Sequence, residues 1–185
     1  MKLKLMIAAA ATALVAETAS AQVFVIGNGL GGECFQKTKS GFSNFRAVEE
    51  ICTRALREQA MTRKNRAATY VNRGVLRMRE GQYEKALADY SEAVSLQPEL
   101  GAAYLNEGAA HIYRRDFASA LSPLDRAIEL ESHELFAAYY NRAIAKENTG
   151  DVAGAYYDLQ KSLELKPGWD LAERQLTRFS LEPTG

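Results

Sequence analysis

The residues with the most overt chemical promise stand near the start of the chain. Gly27-Asn28-Gly29-Leu30-Gly31-Gly32 spells G-x-G-x-x-G directly after the apolar run Val23-Phe24-Val25-Ile26. A strand leading into such a loop can cradle a dinucleotide pyrophosphate, because glycine lets the backbone approach phosphate and the following helix presents free N–H groups. That chemistry needs a strand–helix–strand unit and an acidic residue about 20 positions further on, at the end of a second strand. Glu49 and Glu50 stand at roughly that distance, but inside a segment of helical period, and no second strand-like run follows. One short strand does not build the required parallel sheet. NAD or FAD binding through Gly27–Gly32 is therefore a remote alternative, no cofactor is expected, and the glycines read as a flexible leader.

Other catalytic groupings are no better supported. His111 and His133 have no partner at metal-ligand spacing, and Glu129 and Glu131 are two apart on a helix, so they face different ways. No nucleophile, base and orienting group assemble from the sequence, and an enzyme is not expected. The chain has 23 basic and 23 acidic residues, so no excess of charge points to nucleic acid or to an anionic membrane.

The two cysteines depend on compartment. Lys2 and Lys4 precede an apolar stretch from Leu5 to Ala16, and Ala19-Ser20-Ala21 offers small residues to a signal peptidase. Residues 1–21 are read as a signal peptide cut after Ala21, releasing a soluble periplasmic protein that inserts in no membrane. In an oxidising compartment Cys34 and Cys52 are expected to pair, closing a loop worth about 3 kcal/mol on the chain-entropy model. Two buried thiols are the alternative.

The elements that must position any site repeat. Tyr70-Val71-Asn72-Arg73-Gly74 returns as Tyr104-Leu105-Asn106-Glu107-Gly108 and again as Tyr139-Tyr140-Asn141-Arg142-Ala143. With repeats starting at Ala67, Gly101 and Phe136, small residues recur at Gly74, Gly108 and Ala143, and at Ala86, Ala120 and Ala155. A large apolar residue recurs at Tyr90, Leu124 and Leu159, followed by Ala93, Ala127 and Ser162. Pro98 and Pro167 close the first and third units, with Ser132 in that place in the second. This pattern resembles the tetratricopeptide repeat, a helix–turn–helix unit of 34 residues in which small residues let paired helices approach. The chain departs from it at Arg77, His111 and Lys146, where an aromatic is usual; long stems there can cover apolar surface while their heads reach water.

The resemblance implies an all-α protein, a helical-hairpin solenoid of three units over 67–167 (67–100, 101–135 and 136–167). Stacked repeats need capped ends. Residues 22–66 would supply a leader and an N-terminal helical cap, with a short helix from Leu30 to Lys37 and an amphipathic helix from Asn44 to Met61. Residues 168–180 would form a C-terminal capping helix with Trp169 and Phe179 turned inward, and 181–185 a tail. Small exported tetratricopeptide proteins of Gram-negative bacteria share this plan.

The resemblance also implies a site. First helices of such arrays line a concave groove, and the place held by Asn72, Asn106 and Asn141 commonly faces it. An amide both donates and accepts, so a ladder of asparagines can hold the main chain of an extended peptide; hydrogen bonding within the array is the plain alternative. Val75, Leu105 and Tyr140 would lend the groove an apolar lining, although packing can equally explain residues such as Tyr140. Lysine or arginine, which chaperone-binding relatives place beside the groove, is missing from Ala68, Val71 and Asn72 and their counterparts, so capture of an acidic tail is not expected. The expected function is a non-enzymatic periplasmic scaffold that binds a peptide segment or partner protein. The competing expectation is a self-contained or homodimeric scaffold whose groove is filled by its own N-terminal segment.

Overall fold

The computed structural model describes residues 4–7, 20–25, 29–41 and 44–182. Nine helices are described: α1 Leu30–Lys39, α2 Phe45–Glu58, α3 Arg63–Arg79, α4 Tyr83–Leu96, α5 Gly101–Tyr113, α6 Phe117–Glu129, α7 Leu135–Thr149, α8 Val152–Leu165 and α9 Asp170–Leu176. The fold is an all-α helical repeat. Helices pair as α3 with α4, α5 with α6 and α7 with α8, while α3, α5 and α7 lie side by side.

Local chemistry sets the helix ends. Asn44, Thr62, Asp116 and Asp151 each accept a backbone N–H three residues on, satisfying donors that a helix start leaves free. Gly150 ends α7 at φ 94°, a left-handed conformation that costs glycine little. Within the hairpins the small residues are needed for contact. A Cβ on Gly74 would collide with the ring of Tyr90, and one on Gly108 with Leu124. Tyr90, Leu124 and Leu159 are fully buried at the centre of their hairpins.

The N-terminal cap is tighter than expected. α1 starts at Leu30 as expected and runs two residues past Lys37, so Gly31 and Gly32 belong to it rather than to a flexible leader. α2 ends at Glu58, short of Met61. Cys34 and Cys52 form a disulfide joining α1 to α2, with both residues fully buried beside Val48 and Leu76. Ile26, Gly27 and Asn28 lie outside the described residues; Gly29 carries φ 108°, and the Gly31 N–H donates to Gln59 Oε1 at 2.8 Å.

At the other end the closing helix covers only Asp170–Leu176, not 168–180. The chain then extends as a strand, β2 (Phe179–Glu182), paired antiparallel with β1 (Lys4–Ile7). Residues 4–7, expected to stand apart from the fold, pair with the C-terminal strand. The physical reason for the early helix end is visible. Arg178 bonds to Glu147 on α7 and Phe179 packs near Tyr156 on α8, so the segment turns back across the last repeat. Trp169 faces inward as expected, edge-on to Phe136 and tilted against Tyr140.

Candidate binding groove

Asn72, Asn106 and Asn141 project from equivalent places on α3, α5 and α7 and are buried at 0%, 1% and 0% exposure. An amide buried to that degree needs partners. For two of them the partner is the main chain of residues 20–25, which lie unfolded of helix or sheet along the first helices. The Ala21 N–H donates to Asn106 Oδ1 at 2.8 Å, and Asn106 Nδ2 donates to the Ala21 carbonyl at 2.5 Å. Two residues on, the Val23 N–H donates to Asn72 Oδ1 at 3.0 Å, and Asn72 Nδ2 donates to the Val23 carbonyl at 2.7 Å.

Each side-chain amide thus does what a neighbouring strand would do, exchanging both bonds with one residue. Because strand side chains alternate, the residues so held, i and i+2, present the same face to the groove. Ala21 and Val25 are buried, Val23 is half-buried, and Phe24 is 59% exposed, meeting Phe35 edge-on.

The apolar residues expected to line the groove are placed differently from one another. Leu105 is fully buried in the cluster that Ala21 joins. Tyr140 shares that cluster but is covered by Trp169. Val75 is 1% exposed. All three are buried core residues with little surface left.

A second set of polar residues escaped the sequence reading. In each end hairpin, arginine grips a buried aspartate across the helix pair. Arg73 Nη2 lies 2.7 Å from Asp89 Oδ1 and its Nε 3.0 Å from Oδ2; Arg142 makes the same two contacts with Asp158, each at 2.7 Å. Arg77 and Lys146 do not merely reach water. Arg77 bonds Asp89 and Glu49 of α2, and Lys146 lies 2.9 Å from Asp158. Burial pushes the Asp89 carboxyl above its ordinary range, against the pull of Arg73 and Arg77. Burial lowers Arg142, but its bonds to Asp158 and Asp125 outweigh that and hold it above the ordinary guanidinium value. The signal was present in the sequence: Arg73 and Asp89 recur in register as Arg142 and Asp158.

The middle hairpin has no such fork. Glu107, His111 and Pro123 take the places of the cations and the aspartate. Burial raises the Glu107 carboxyl, with His111 opposing, and His111 Nδ1 lies 3.4 Å from Asp116. Among the described residues no group of three His, Cys, Asp or Glu side chains converges as metal ligands, and no helix is long and apolar enough to cross a membrane.

With this geometry established, comparison with known proteins agrees. The tetratricopeptide repeat family model matches residues 67–100. Residues 67–100 are thus a tetratricopeptide repeat, and the chain resembles tetratricopeptide-repeat proteins. Human tetratricopeptide repeat protein 6 is 29% identical over 102 residues, which is 55% of this chain but 18% of that protein. The chain therefore spans less than a fifth of that relative's length. Among solved structures, the second repeat domain of human RPAP3, in complex with the HSP70 peptide SGPTIEEVD, aligns at TM-score 0.56 and 24% identity, covering 59% of this chain and 90% of that one. MamA from Desulfovibrio magneticus RS-1 aligns at TM-score 0.66 and 16% identity, covering 80% and 82%. At these identities the structural likeness speaks for the fold.

Proposed function

We propose that this tetratricopeptide array is a non-catalytic protein-interaction module whose first-helix groove binds an extended segment of a partner protein. The observation that carries the reading is the paired bonding of Asn72 and Asn106 to the main chain of Val23 and Ala21. Main-chain bonds give affinity independent of ligand sequence, and the apolar walls add burial. The RPAP3 domain, in its solved complex, holds a peptide ending in two glutamates, valine and aspartate. Here Ala68, Val71 and Asn72 offer no cation for such a tail, so the segment bound is expected to be neutral where it faces the groove.

Export fits this reading. Lys2 and Lys4, the apolar stretch behind them and Ala19-Ser20-Ala21 support cleavage after Ala21 and release into the periplasm, where the Cys34–Cys52 bond would persist.

A specific observation favours a second reading as well. Residues 21–25 already occupy the groove, so a self-contained scaffold is the competing function. The two are separated by capture from periplasmic extract with the exported protein and with its N72A/N106A/N141A variant. Specific capture of a partner by the former, lost in a variant that remains helical, supports the interaction module. Equal capture by both would remove the asparagines from the function.

A further inference from the structure

The segment seated in the groove is also a mould of the ligand. Ala21, Val23 and Val25 face inward. Ala21 joins Leu105, Tyr140 and Ile144 with 4% of its surface exposed, so a methyl group fills the space at the level of Asn106. Val23 packs between the clusters around Val71 and Ala68 at the level of Asn72, and Val25 closes against Phe35 and Ala68. Gln22 is half-buried, and Phe24 is exposed, meeting only Phe35 edge-on among the ring contacts of the described residues. The chain direction is fixed too, running from the second repeat toward the first.

We propose that the groove selects an extended partner segment of pattern small–x–β-branched–x–β-branched, entering in this direction, and that Ala21–Val25 is its built-in competitor. This rests on the peptide-binding reading above. It also gives processing a consequence. A cut after Ala21 takes away the residue held by Asn106 and leaves Val23 on Asn72, so the groove opens first at the second repeat. The partner's chemistry follows from what holds Ala21 and Val23: four bonds to main-chain atoms and apolar contacts, with no side-chain charge taking part.

The test uses the full chain with A21P and V23P, since proline has no N–H to donate to Asn106 or Asn72. The probe is the blocked peptide Ala-Gln-Val-Phe-Val, titrated by fluorescence anisotropy into chains shown to be helical by circular dichroism. The peptide is expected to bind the A21P/V23P chain at least about tenfold more tightly than the unaltered chain, where an intramolecular segment competes at high effective concentration. Adding N106A should weaken it about tenfold, the loss of two hydrogen bonds. Replacing its alanine by phenylalanine, or its first valine by aspartate, should weaken it at least as much. Should the proline variant fail to fold, A21E/V23E displaces the segment by charge instead.

Equal binding of the pattern-breaking peptides would overturn the proposed selectivity while leaving a general peptide groove standing. Failure of every peptide in a mixed-sequence set to bind the opened, folded chain would sink both. Equal binding to opened and unaltered chains would overturn the competition, as would sedimentation showing a dimer in which leaders are exchanged between copies.

Discussion

The end hairpins and the middle hairpin of this array are built from the same repeat but are held differently. In the first and third, an arginine–aspartate fork with a second cation ties the two helices together, and the aspartate is almost fully buried at 3% and 6% side-chain exposure. In the second, the pair α5–α6 is held by packing of Leu124 over Gly108, and a half-buried Glu107 stands where an arginine would be. Yet the buried asparagine on the first helix is the same in all three. The buried asparagine is uniform while the clamps are not: the clamps tie the end hairpins together, and Asn72 and Asn106 hold the main chain of Val23 and Ala21.

That contrast can be broken most severely at a clamp. Asp89→Ala leaves Arg73 without its carboxylate and Arg77 with Glu49 alone in a largely buried site, and removing one partner of a buried pair costs about 3–5 kcal/mol. Denaturant unfolding should show that loss, and Asp158→Ala should show a comparable one at the other end. The disulfide supports the first hairpin from outside, because α2 carries both Cys52 and Glu49, the partner of Arg77. Reduction should lower stability by about 3 kcal/mol. Hydrogen exchange should place the loosening in α1, α2 and α3 and spare α5 and α6.

The middle hairpin gives a smaller effect of opposite sign. Burial raises the Glu107 carboxyl above its value in the unfolded chain. The folded state then holds the proton more tightly, so stability falls as pH rises through that range. The cost is complete at neutral pH and absent below about pH 4, where both states are protonated. Glu107→Gln should therefore stabilise at pH 7, by about 1 kcal/mol or less, and the gain should vanish at low pH. Thermal melts across that range check it.

Much of the architecture was legible in the sequence because it is periodic. The recurrence of Asn72, Asn106 and Asn141, with the small residues after each, marks both the hairpins and the groove face. What stayed hidden depends on contacts between distant parts of the chain. Val23-Phe24-Val25-Ile26 is a short apolar, strand-like run, but strand pairing with side-chain amides rather than with another strand leaves no local trace. The closing helix was read too long because Trp169 to Phe179 keeps an apolar spacing, while the bond from Arg178 to Glu147 turns the chain away after Leu176. The forks left a trace, Arg73 with Asp89 and Arg142 with Asp158, that repeat alignment alone exposes once charge is followed across the hairpin.

The central claim, that Asn72 and Asn106 each hold one residue of an extended segment, is tested most directly by amide hydrogen exchange of Ala21 and Val23 in the full chain, resolved by NMR. Both amides are expected to be protected. Asn106→Ala should release Ala21 and Asn72→Ala should release Val23, each in a chain whose helices keep their protection. Exchange of both amides at the rate of an unstructured peptide in the unaltered protein would contradict the account.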